Sequence, residues 1–196
     1  MFIDFVALLL INMAAGFFLL ACFLYWGLGG VDPKRWVPAF SMVGIIALIS
    51  GFRMAFTWPL PGSYNVAYGE MSIFLGILFL GGALALAKEW DLTLVAVYGF
   101  FAGVAALLIG IRIIDLGMTK EPLLSGVGFI LSGASGILAT PVLYLRTRGG
   151  IRLLGAIVLI ATALIWARTG YKAYWGHLDN FSTWVPSTME TTNPRP

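Results

Sequence analysis

The groups in this chain best placed to do chemistry inside an apolar setting are three arginines and the carboxylates near them. Arg53, Arg112 and Arg168 each close an apolar run: Ile49-Ser50-Gly51-Phe52-Arg53, Leu108-Ile109-Gly110-Ile111-Arg112 and Leu164-Ile165-Trp166-Ala167-Arg168. The runs recur roughly 55 to 60 residues apart, as a repeated unit would. A guanidinium so placed is costly unless a carboxylate or a bound anion pairs with it. Arg53 precedes Trp58, and Glu70 follows Asn65, by equal short distances on either side of Pro59-Leu60-Pro61-Gly62. At about 1.5 Å of rise per residue the two side chains reach equal depth, which predicts a direct and bidentate ion pair. Asp115 follows Arg112 on the same helix face. Arg168 has no local carboxylate and its helical neighbour Lys172 repeats its sign, so Asp4 is its expected partner if the units close around an axis.

Two chemistries fit such a cluster. The pairs could lock neighbouring helices in register and do no more than offset the burial of charge. Alternatively they line a vestibule that selects an anion, relays protons or meets a quinone or lipid headgroup, with Glu70 as the candidate proton carrier. Other chemistries are closed off. His177 is the only histidine and Cys22 the only cysteine. A bis-histidine haem, an internal disulfide and a cysteine metal site therefore cannot form within one chain, and Cys22 reads as a small core hydrophobe. No Walker loop, nucleophile elbow, metalloprotease helix motif or dinucleotide fingerprint occurs.

The elements that must position these groups are apolar helices. The 196 residues are 60% hydrophobic and 11% charged, with a mean hydropathy of +0.92. A soluble domain carries about 25% charged residues, so the composition is that of a multi-pass membrane protein. Runs near or above the roughly 20 residues that cross a bilayer are read at Phe5–Trp26, Val37–Trp58, Asn65–Lys88, Leu92–Ile114, Leu123–Tyr144 and Ile151–Tyr171. The expected fold is an all-α six-helix bundle of three tandem αα-hairpins at 1–58, 64–115 and 122–174, with a polar tail at 175–196. The first run has no basic residues before it and reads as a retained helix.

Lys34, Arg35, Lys88, Arg146, Arg148 and Arg152 lie beside the short connections Gly27–Trp36, Glu89–Asp91 and Arg146–Gly150. Lys120, Lys172, Arg195 and the three intramembrane arginines on the opposite side make the raw count a tie. With the repeated arginines read as structural and Arg195 far from any helix end, the bias of basic residues toward the cytoplasm puts the short loops on the cytoplasmic side of the cell membrane and both termini outside. Trp26, Trp36, Trp90 and, at the other end, Trp58, Tyr64 and Tyr171 form the expected interfacial belts. Gly128, Ser132, Gly136 and Thr140 make a ridge of small residues on the fifth run, and Gly99, Ala102, Gly103, Ala106 and Gly110 make one on the fourth. Such ridges allow close helix packing in lipid. Pro141 should kink the fifth helix, and the tail, which carries the acceptor pattern Asn180-Phe181-Ser182, should dock on the outer face.

The stretch Thr57-Trp-Pro-Leu-Pro-Gly-Ser-Tyr-Asn-Val-Ala-Tyr-Gly-Glu70 resembles the signature turn of an uncharacterised family of prokaryotic multi-helix membrane proteins, domain of unknown function 981. The resemblance implies a similar hydropathy profile and brings no activity with it. The functional expectation therefore rests on the residues. It is a non-catalytic accessory or scaffolding subunit of a larger membrane complex, respiratory or another oxidoreductase. The alternative is a small channel or transporter with an outer arginine and glutamate vestibule. The expected partners are the bilayer and other membrane subunits or further copies of the chain. Nucleic acid is excluded, because no basic aromatic patch occurs. No cofactor is called for, although a lipid, a quinone, or a haem or pigment shared with a partner would leave little trace in one sequence.

Overall fold

The computed structural model describes residues 4–30 and 32–180. All regular structure among them is helical: α1 (Phe5–Cys22), α2 (Val37–Thr57), α3 (Met71–Lys88), α4 (Thr93–Leu116), α5 (Pro122–Tyr144) and α6 (Gly149–Asn180). A π turn at Phe23–Gly27 prolongs α1, a 3-10 turn at Pro33–Trp36 leads into α2, and a π segment at Asn65–Glu70 leads into α3. Six of these units are long and apolar enough to cross a membrane.

Local chemistry sets the boundaries. Asp4 accepts the Ala7 N–H and Asp32 the Lys34 N–H, each capturing a helix-start donor that has no partner within its helix. Pro33 and Pro122 sit in first turns, where a missing N–H costs nothing. Gly117 closes α4 at φ 60°, a left-handed turn that a residue without Cβ takes without strain. Trp58 closes α2 at φ 47° with Pro59 behind it, so the chain cannot continue as helix. Asn65, fully buried, then fastens the connection: it accepts from the Leu60 N–H at 3.0 Å and donates to the carbonyls of Leu60 and Gly62. Pro141 lies inside α5 one turn from its end, and the helix continues through it to Tyr144.

The closest packing joins α2 to α3, α4 to α5, and α1 to α6. These contacts fall between the hairpins 1–58, 64–115 and 122–174 and not within them. Small residues are the reason. A Cβ on Gly103 would lie 2.5 Å from the Gly133 carbonyl oxygen, and one on Gly110 would lie 2.7 Å from that of Gly126. Across α2 and α3 a Cβ on Gly51 would meet the Gly69 carbonyl oxygen at 2.9 Å. Helix backbones touch at these points, and only glycine leaves room.

The small ridge on α5 divides its work. Gly136 approaches the Gly99 carbonyl and Gly103 on α4, whereas Gly128 packs on the Trp166 ring of α6. The α6 helix extends past Tyr174, where the sequence suggests a tail, and reaches Asn180. Gly176 alone is too weak a break, at about 1 kcal/mol, to end a helix held beyond it by His177 against Asp4. The docking of the tail beyond Asn180, and Ser182 of the acceptor pattern, lie outside the described residues.

Candidate functional site

One end of the bundle gathers the start of α1, the end of α2, the α4–α5 connection and the second half of α6. There Arg112 pairs with Asp115 on its own helix. Arg168 donates to Glu121 at 2.5 Å, and Lys172 binds the second oxygen of the same carboxylate. Asp4 meets His177 and not Arg168. The correction has a simple cause: the longer α6 brings His177 level with Asp4, while Arg168, more than two turns earlier, faces the start of α5. Glu121 does not stand out in the sequence. The one signal was its place directly before Pro122, at the level of Arg168. The two cations, Arg168 first and Lys172 second, hold the Glu121 carboxyl well below its ordinary 4.5, at about 2.

Arg53 and Glu70 are not brought together. Both are exposed, and among the described residues neither the guanidinium nor the carboxylate has a hydrogen bond or ion pair. The expectation rested on depth alone and left azimuth open. The π segment Asn65–Glu70 turns Gly69 toward α2, where an added Cβ would lie 3.0 Å from the Met54 Cβ, and leaves Glu70 pointing outward.

Beneath this end lies a buried lattice of polar and aromatic contacts. Tyr68 packs edge-on against Phe129 at 5.5 Å, and Phe129 against Trp166 at 5.1 Å. The fully buried Trp166 donates its indole N–H to Ser132 at 3.0 Å, and Ser132 in turn donates to the Gly128 carbonyl. Every polar atom of the contact is thereby satisfied.

Past Phe129 the bundle opens. A cavity of about 570 Å³ occupies the half of the molecule nearer the short loops, bounded by α1, α3, α4, α5 and α6 and, through Phe40, by α2. That volume lies within the roughly 300–1,000 Å³ of small-molecule sites. Its wall is almost wholly apolar, with Phe17, Phe74 and Phe79 among the aromatic members and Ala96, Ala102 and Ala106 giving the space on α4. Phe79 packs edge-on against Phe40 at 5.2 Å, and Phe40 against Phe23 at 5.4 Å.

At the short-loop end a second cavity, a vestibule of about 820 Å³, is lined by Asp32, Lys34, Glu89, Asp91, Arg146 and Trp90 among others. Leu92 and Leu143 line both spaces, so the vestibule adjoins the chamber. Lys34 pairs with Glu89 at 2.6 Å across the connections. Thr93, through its hydroxyl and its N–H, holds the Asp91 carboxyl below the usual range, with the Arg146 charge adding to the effect. Thr140 lines the vestibule too, and its hydroxyl oxygen is buried with no hydrogen-bond partner. Arg152 bridges to the α1 end, donating to the carbonyls of Leu24, at 2.9 Å, and Tyr25. Sequence reasoning placed Lys34 and Arg146 beside loops but could not place them around one space. Among the described residues no group of three or more metal-ligating side chains occurs.

The chain belongs to the family described as "Protein of unknown function (DUF981)", whose family model matches residues 1–180. Comparison with curated proteins and with solved structures gives no match.

Proposed function

We propose that this member of an uncharacterised family is a multi-pass protein of the cell membrane that holds a nonpolar or amphipathic molecule in its central chamber. It does so as a non-catalytic subunit and not as an enzyme. The observation that carries the reading is the apolar chamber of about 570 Å³ adjoining a charged vestibule at Leu92 and Leu143. A space that size lined by Phe and Leu loses dispersion contacts if empty, and an apolar guest restores them. Ion conduction is the weaker reading, because the chamber wall offers an ion little to replace its hydration.

The same reading includes bilayer insertion with the vestibule toward the cytoplasm and both termini outside, supported by Lys34, Lys88, Arg146, Arg148 and Arg152 around the vestibule end. It also keeps the three arginine-bearing hairpins as copies of one unit, supported by Arg53 and Arg112, each one turn before the end of its helix, while Arg168 lies farther from the end of the longer α6. Assembly with other membrane subunits or with further copies remains part of the proposal; Leu94, Phe101 and Leu164, exposed on the bundle surface, can face lipid or such a partner alike.

Mass spectrometry of solvent extracts from the protein purified in mild detergent tests the chamber. A nonpolar or amphipathic molecule should co-purify at near one per chain and be depleted in Gly82→Leu. Position 82 suits this because a Cβ there meets only Phe40, at 3.6 Å, while a longer side chain projects into the chamber. Equal recovery from both proteins would overturn the reading. Cysteine labelling in a Cys22→Ala background tests orientation: external reagent should reach position 120 and not position 148.

A further inference from the structure

Resting on the chamber as a binding site, we propose that its occupant is a zwitterionic aminophospholipid. One acyl chain lies in the chamber, the phosphoethanolamine head lies in the vestibule, and access is sideways from the bilayer between α5 and α6.

The side opening follows from where α5 and α6 touch. Phe129 and Ser132 hold them together on Trp166 in the half nearer the arginines. Farther along, Leu138 of α5 and Leu154 of α6 both line the chamber, yet they are 53% and 64% exposed. The wall is therefore open to the bundle's surroundings at that level. In a bilayer those surroundings are hydrocarbon, and an acyl chain can slide in without crossing water.

A chain moving from lipid into an apolar chamber gains no hydrophobic free energy, since its starting medium is equally apolar. What it gains is contact with walls that would otherwise face a void. Discrimination between lipids must come from the head. The vestibule carries both signs: Asp32, Glu89 and Asp91 against Lys34 and Arg146. A head bearing phosphate alone meets more carboxylates than cations, and an uncharged head uses none of them. One that carries a phosphate and a primary ammonium matches both sets. The Lys34–Glu89 pair is about half exposed on each side, 56% and 66%, so its members can exchange each other for ligand charges at little cost. Thr140 lines the vestibule and the next residue, Pro141, lines the chamber, so the two spaces meet at this level of α5, where a chain's ester group would sit.

The test uses the full chain, delipidated in detergent, with phosphatidylethanolamine and phosphatidylglycerol of identical acyl chains, and bound lipid counted by native mass spectrometry. Phosphatidylethanolamine should bind about fivefold more tightly, the upper end of what one exposed charge pair contributes. Asp91→Asn with Glu89→Gln should erase that preference while leaving chain binding, because asparagine still caps α4 at Thr93. Gly82→Leu should weaken both lipids, and Ala139→Leu, on another wall of the chamber, repeats the test if the first variant does not assemble. Equal binding of the two lipids, or preference for phosphatidylglycerol, overturns the headgroup assignment alone, provided the chamber variants still lose binding. Chamber variants that bind both lipids like the parent overturn the headgroup assignment and the chamber reading together.

Discussion

Trp166 donates its indole N–H to the Ser132 hydroxyl at 3.0 Å, and this contact marks the level at which α5 and α6 stop being held together and the chamber starts. The ring is fully buried and also closes on Phe129 and Gly128, so it acts as the plug between the polar lattice and the apolar space. Trp166→Ala should cost about 3–5 kcal/mol by leaving a cavity that α5 and α6 cannot collapse. Trp166→Phe keeps most of the ring, and Ser132 retains the Gly128 carbonyl, so its cost should be nearer 1 kcal/mol. Thermal unfolding in detergent distinguishes the two. Equal losses would mean that the hydrogen bond, and not the ring, carries the contact.

Glycines that look alike in the sequence should behave oppositely. Gly103→Ala on α4 places a methyl 2.5 Å from the Gly133 carbonyl oxygen, a backbone atom that cannot move without moving α5. The loss should be at least about 1–3 kcal/mol. Gly99→Ala, one turn earlier, meets Leu78 at 3.6 Å and the Gly136 carbonyl at 3.9 Å, which is ordinary contact. Its gain in helix propensity makes it neutral or slightly stabilising. Matched unfolding measurements on the two variants decide, and a comparable loss at both positions would sink the distinction.

That contrast shows what could be read in the chain beforehand. Helix number and most helix ends follow from local chemistry, the end of α6 excepted: apolar runs, Pro33, Pro59 and Pro122, Gly117, and the caps Asp4, Asp32 and Asp91. Pairing of helices does not: Gly126, Gly133 and Gly136 face α4 while Gly128 faces α6, and only the neighbours decide which one touches which helix. The arginine cluster was partly legible. Asp115 is local to Arg112, whereas Glu121 reaches Arg168 across 47 residues and only through the meeting of α5 with α6. The chamber was illegible for a deeper reason: a void is defined by side chains that do not meet, and Ala96, Ala102 and Ala106 are equally consistent with tight packing.

Arg53 and Glu70 give a direct measure of the azimuth set by the π segment. Since neither has an ion-pair partner among the described residues, a double-mutant cycle with Arg53→Gln and Glu70→Gln should return a coupling within about 0.5 kcal/mol of zero. The same cycle on Arg168 and Glu121 should return a clear positive coupling. A strong coupling between Arg53 and Glu70 would instead place them in contact in the membrane.

Stability should fall with acid through Glu121 in a definite window. In the folded chain the carboxyl is held at about 2, against an ordinary 4.5, by Arg168 first and Lys172 second. A folded value below the unfolded one means that the folded chain keeps the charged form over a wider range. The contribution is therefore fully present above about pH 5 and is lost as pH falls toward 2. Asp91, lowered by its contacts with Thr93, adds in the same direction. The Glu121→Gln variant should be less stable than the parent at neutral pH, because Arg168 and Lys172 then face each other without the anion between them. It should also show a flatter decline between pH 5 and 2.5. Unfolding midpoints of parent and variant across that range provide the test, and parallel declines would remove Glu121 as the source of the acid sensitivity.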